Sequence, residues 1–263
     1  MAVIIGILNQ KGGVGKTTTT VNLAAAFAEA GKNVLAIDMD GQGNLTTSLG
    51  IVQKEDPENP PVDGPAVPTA SIYDVLKGSK SLSEVIIKRS KGLSVCPSSL
   101  FLSAADLELG GVVGRELLLK RAIEKIKANY DIIVIDCPPA LGLLSLNALA
   151  AVDEVVIPVQ SEYLALYGVR QLLDTIDQVR GIYNPNLKVG GVLICMHDGR
   201  KRLGRAVADT IRSYFGDLVF STVIRDNVAL AEAPSVGQTI FEYNRKSPGA
   251  EDYNALAKEI LES

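Results

Sequence analysis

Residues 3–8 form an unbroken apolar run, the pattern of a strand buried on both faces of a parallel sheet. A glycine-rich loop, residues 11–16, follows it. Residues 17–30 then set Val21, Leu23, Ala24, Phe27 and Ala28 on one helical face before Gly31 ends the helix. Residues 33–39 are the next apolar strand, so the chain opens with a βαβ unit. Further along, the pattern predicts a helix over 71–77, a short strand over 93–97 and an amphipathic helix over 114–129. Strands follow at 131–137, 154–160, 188–196 and 219–224, with helices at 166–180, 203–215 and 249–261. The alternation predicts an α/β fold: a doubly wound, mostly parallel sheet with helices on both faces, one domain over residues 1–263. Residues 52–70 interrupt it with five prolines and almost no large apolar side chain, which reads as a long surface loop.

Composition narrows the class. Hydrophobic residues are 47% and charged residues 21%, ordinary for a globular chain. Cys96, Cys137 and Cys195 are scattered and odd in number, against a disulfide framework and in keeping with a reducing cytosol. A single histidine, His197, and no CxxC pair leave little for a zinc site. No apolar run approaches the roughly 18 residues of a spanning helix, the apolar start lacks a basic flank and cleavage site, and residues 251–263 carry four acids against Lys258. No membrane partner is therefore expected.

The chemistry lies in Lys11-Gly12-Gly13-Val14-Gly15-Lys16-Thr17-Thr18, between a predicted strand and a predicted helix. Glycines let backbone N–H groups turn toward phosphate oxygens, and the helix N-terminus adds its dipole. Lys16 is placed to reach the β- and γ-phosphates, and the Thr17 hydroxyl to ligate Mg²⁺. Where a general P-loop has its first glycine there is Gln10, and Lys11 precedes the glycines instead. A second lysine is not needed in cis, and fits a role in trans at a neighbouring subunit's nucleotide. Asp38 and Asp40 end the second strand, and Asp136 ends the strand IIVID. Strand ends of a parallel sheet share one edge with the phosphate loop, so these carboxylates converge on a metal and an attacking water.

These motifs, with YDIIVIDCPPALGLLSLNALAAVDEVVIPVQSEYLALYGV, Met196-His-Asp-Gly-Arg200 and NVALAEAPSVGQTI, run through nearly the whole chain. They resemble the ParA/Soj family of partition ATPases with a deviant Walker A loop, near the MinD branch. The resemblance implies ATP and Mg²⁺ as cofactors and an ATP-dependent homodimer in which Lys11 crosses to the partner's γ-phosphate. Lys16 and Thr17 act in cis, Asp40 positions or activates water, and Asp38 and Asp136 support the metal, partly through water. The neighbourhood of Met196, Arg225 and Asn227 borders the adenine. The dimer binds nonspecific DNA, and a ParB-like partner or cargo adaptor stimulates hydrolysis, giving a cytoplasmic, nucleoid-associated protein that segregates chromosome or plasmid DNA. Tyr163 and Tyr167 read as packing or dimer contacts.

Two departures stand out. Gly41 replaces the family's usual proline, which is expected to loosen the switch loop, and Ala229 replaces an arginine that some relatives use for DNA, with Arg225 as a partial substitute. Positive charge is dense only at Arg200, Lys201, Arg202, Arg205 and Arg212, interrupted by Asp209, with a smaller cluster at Arg245 and Lys246. A solvated helix face is the simpler reading of such a cluster alone. The resemblance makes it the expected DNA surface, with weak, salt-sensitive binding. The same ATPase serving a protein cargo such as a carboxysome or chemoreceptor cluster, a MinD-like membrane regulator, and a metabolic ligase or metallocluster carrier are the alternatives.

Overall fold

The computed structural model describes residues 2–51, 70–160 and 165–262. The proline-rich stretch 52–69, Tyr163 and the side chain of Tyr167 lie outside the described residues. Among the described residues eight strands form one sheet: β1 (Val3–Ile7), β2 (Val34–Asp38), β3 (Ile87–Ser90), β4 (Leu93–Cys96), β5 (Ile132–Asp136), β6 (Glu154–Gln160), β7 (Lys188–His197) and β8 (Val219–Arg225). Their order is β3-β4-β2-β5-β1-β6-β7-β8, and every pairing is parallel except β3 with β4. The chain reverses direction in space at β1, which places the first loop at the crevice where such sheets bind ligands.

The central strands are apolar because both faces are covered. In β5, Ile133 and Ile135 enter one core while Ile132 and Val134 enter the other. Helices Lys16–Glu29 and Pro248–Glu262 close the second core through Leu23, Phe27, Tyr253 and Leu256. Helices Leu118–Glu124, Leu143–Ala151, Ala165–Ile182 and Arg202–Phe215 close the first, with Ile123, Leu149, Ile176 and Ile211.

Beside several short helices that the sequence pattern does not show, three elements differ from it for clear physical reasons. The helix expected over 114–129 is broken into a 3₁₀ turn Arg115–Leu117, the helix Leu118–Glu124 and a second 3₁₀ turn Lys127–Asn129. Its first turn is tied to a neighbour: Asn147 accepts from the Leu119 N–H at 3.1 Å and donates to the Arg115 carbonyl at 2.8 Å. Helix Leu143–Ala151 has no polar stripe because it is buried nearly all round, so its sequence shows no helical period. Strand β3 carries Lys88 and Arg89, the charged composition that protects a sheet edge.

Candidate functional site

The parallel register aligns β1, β2 and β5 so that Ile7, Asp38 and Asp136 lie side by side at one sheet edge. The phosphate-type loop leaves β1 at this edge and enters helix Lys16–Glu29. Gly15 precedes the helix at φ +92°, a left-handed conformation that favours glycine, and no side chain caps the helix. Among the described residues nothing caps the helix through a side chain, so its N-terminal N–H groups suit an anion. Lys16 folds back over the loop and donates to the Lys11 carbonyl at 2.9 Å. Burial lowers the pKa of its ammonium, opposed by the nearby charges of Asp136 and then Asp40.

Asp136 is buried and accepts from the Thr17 hydroxyl at 2.7 Å and the Thr20 hydroxyl at 3.1 Å. Asp38 is buried beside it and accepts from the Thr46 hydroxyl at 2.6 Å, the Thr46 N–H at 2.9 Å and the Asp40 N–H at 3.2 Å. Burial raises both carboxyls: Asp136 to about 8, with the charge of Asp38 adding to the shift, and Asp38 to about 6. Asp40, partly exposed, stands over the same edge. Among the described residues no three His, Cys, Asp or Glu side chains form a dedicated metal cage. The oxygen donors of Thr17 and Asp136, with Asp38 behind them, fit Mg²⁺, which takes one or two carboxylates and completes its shell with water and phosphate.

The two raised carboxyls give a pH prediction. An unfolded Asp titrates near about 4, so between there and about 8 the folded protein binds more protons than the unfolded one. The pair's contribution to stability then falls as pH rises through that window, and is most unfavourable above it. In metal- and nucleotide-free protein, Asp136→Asn is expected to raise stability by on the order of 1–3 kcal/mol near pH 9 relative to its effect near pH 5. Urea unfolding at both pH values checks this; an equal effect at both contradicts it.

At Gly41 the fold adds a close approach that the sequence does not show. A Cβ at this position would lie 2.9 Å from the Ser103 backbone nitrogen, so the glycine lets residues 98–103 close directly on the turn. At the other side of the loop, Gln160 at the end of β6 donates to the Gly13 carbonyl at 3.2 Å and to the Met196 sulfur at 2.8 Å. Met196 is the one non-glycine at positive φ among the described residues, at +51°, and its methyl lies 3.7 Å from where a Gly15 Cβ would be. It therefore walls the loop. Asn227 caps helix Val228–Glu232, accepting from the Ala229 N–H at 2.9 Å. Arg225 is ion-paired: Asp252 and Glu251 take its guanidinium at 2.7 and 2.9 Å, so a DNA phosphate there would compete with two carboxylates.

The basic residues do not form one patch. Arg200, Lys201, Arg202 and Arg205 are exposed at the end of β7 and the start of helix Arg202–Phe215, on the phosphate-loop edge. Asp198 pairs with Arg200 at 2.9 Å and Lys201 at 3.6 Å, and the bond to Arg200 holds its carboxyl down at about 2. Arg205 and Arg212 share the exposed helix face with Asp209, while Val207, Ala208 and Ile211 are buried. Arg245 instead pairs with Glu29, the last residue of the helix that begins at the phosphate loop, so Arg245 and Lys246 belong to the opposite edge of the sheet. Cys96, Cys137 and Cys195 are buried, with thiols pushed up by burial, and serve as small core residues.

Four partners of this edge were not singled out in the sequence: Thr20, Thr46, Ser98 and Gln160. Thr20 is one helical turn from Thr17 and was readable from that spacing. The other three reach the edge only through the fold.

The AAA domain family matches residues 2–189. The chain is 48% identical over 261 residues to sporulation initiation inhibitor protein Soj of Bacillus subtilis, covering 99% of this chain and 98% of Soj. It is 42% identical to chromosome partitioning protein ParA of Caulobacter vibrioides, covering 98% and 93%. Among solved structures, cobyrinic acid a,c-diamide synthase from Mycobacterium smegmatis with bound ATP analog and magnesium superposes with a TM-score of 0.83 at 35% identity, covering 99% of this chain and 95% of that one. With 42–48% identity to Soj and ParA along nearly its whole length, the chain belongs to the ParA/Soj family of partition ATPases.

Proposed function

We propose that this chain is an ATP-driven switch for DNA partition, working as one domain in the cytoplasm on the nucleoid. The observation that supports this most is the uncapped helix after Gly15 beside Lys16, Asp40 and the buried Asp38 and Asp136 at one sheet edge. In this reading Gly12, Gly13, Val14, Gly15, Lys16, Thr17 and Thr18 bind the phosphates, and Met196, Arg225 and Asn227 border the base. Thr17 and Asp136 would hold Mg²⁺, which screens the triphosphate charge when bound. Asp40 orients a water whose oxygen bonds to the γ-phosphorus as the bond to the ADP oxygen breaks. Lys11 reaches the γ-phosphate of a second copy, so ATP joins two chains and hydrolysis parts them.

The joined pair carries two copies of the Arg200–Arg212 surface, each with Lys201, Arg202 and Arg205. Doubling the phosphate contacts steepens the salt dependence, since each neutralised phosphate adds roughly 0.9 to the log–log slope. Nucleotide state thereby sets DNA affinity. A ParB-like partner would trigger release. The name of one relative, chromosome partitioning protein ParA, favours DNA over a protein compartment as cargo. Among the described residues no helix is long and apolar enough to cross a membrane. The test is retention of nonspecific duplex DNA with ATP or ADP at two salt concentrations. Arg202→Glu with Arg205→Glu is expected to weaken ATP-dependent retention by about tenfold or more and to flatten its salt slope. Retention equal to the parent protein would contradict this surface.

A further inference from the structure

We propose that Ser98 is a positioning residue for Asp40, setting the carboxylate that orients the attacking water. The inference rests on the reading of Asp40 given above. Asp40 sits in a turn after β2 whose own bonds are local: the Gly43 N–H donates to the Asp40 carbonyl at 3.0 Å, and the Gln42 N–H to its carboxylate at 3.0 Å. These bonds shape the turn but do not fix it against the sheet. The Met39 N–H holds the residue before Asp40 to the Asp136 carbonyl at 3.0 Å, and two bonds at Asp40 itself continue the tie. The Asp40 N–H donates to Asp38 at 3.2 Å, and the Ser98 hydroxyl donates to the Asp40 carbonyl at 2.6 Å.

Ser98 is completely buried two residues past the end of β4, the strand that neighbours β2. Its backbone N–H donates to the Thr46 hydroxyl at 2.9 Å, and that hydroxyl in turn donates to Asp38 at 2.6 Å. One residue therefore braces both acids, Asp40 through its main chain and Asp38 through Thr46. The close approach of Ser103 to Gly41 presses the same segment onto the turn from the outside. The Asp40 carboxylate is left partly exposed on a backbone held from both sides, the condition for a group that must meet a water in one geometry.

The bond from Ser98 goes to the Asp40 main chain, not to the nucleotide, so its loss should act on turnover and not on substrate affinity. Ser98→Ala in the full chain is expected to lower kcat for ATP about tenfold with KM within about twofold of the parent, and Ser98→Thr, which keeps the hydroxyl, to retain kcat within about threefold. ADP affinity and the melting temperature of each variant establish that the fold is intact. An unchanged kcat in Ser98→Ala, a kcat and KM that change by the same factor, or a Ser98→Thr as slow as Ser98→Ala would each overturn the positioning role. Asp40→Ala in the same series separates the two readings. If it is slow while Ser98→Ala is not, only the Ser98 proposal fails. If it turns over at the parent rate, the role of Asp40 fails and that of Ser98 with it.

Discussion

Lys16→Ala is expected to abolish ATP binding at ordinary nucleotide concentrations while leaving the fold intact. Lys16 is buried against the Lys11 carbonyl, and its ammonium is desolvated, with Asp136 and Asp40 as its nearby counter-charges. A triphosphate arriving at the helix N-terminus would meet a charge already stripped of much of its water, which makes the contact strong. Removing such a partner costs about 3 kcal/mol, roughly a hundredfold in Kd. The free protein loses little, because a buried ammonium with a lowered pKa is itself a cost to folding. Titration with a fluorescent ATP analogue, alongside thermal unfolding, checks both halves. Parent-like affinity would remove the phosphate-loop assignment.

Asp40→Ala is expected to have the opposite profile: ATP affinity near the parent value and a single-turnover hydrolysis rate lower by on the order of a hundredfold. Asp40 stands at the strand-end edge, but its backbone is held by Asp38 and Ser98 independently of its carboxylate. Truncating the side chain therefore leaves the turn braced. Asp38 and Asp136 are unsuited to the same task because each is buried and committed to threonine hydroxyls. A quenched-flow time course with protein in excess over ATP measures the rate, and an unchanged rate would assign the water to another group.

Most of this edge is legible in the sequence because its parts are local. A strand, a glycine loop and a helix are contiguous, and an aspartate that ends an apolar run in a parallel sheet falls on the loop's edge whatever lies between. The bracing groups are not local. Ser98 is 58 positions from Asp40 and Gln160 is 147 from Gly13, so neither can be placed before the strand order is known. Charge misleads in a related way. Arg245 and Lys246 read as a second basic cluster for the same DNA surface, yet Arg245 pairs with Glu29 at the far edge of the sheet. Periodicity fails where burial is complete, as in Leu143–Ala151, and overstates continuity where a neighbouring asparagine takes the backbone bonds, as at Arg115 and Leu119.

The switch itself is tested most directly with Asp40→Ala protein, whose slow hydrolysis holds the ATP state long enough to measure. Light scattering gives its mass with ATP and with ADP, and the same samples are passed over immobilised nonspecific DNA. The account predicts a dimer that retains DNA with ATP, and loss of both mass and retention with ADP. A mass and a DNA affinity that are the same in the two nucleotides would contradict it.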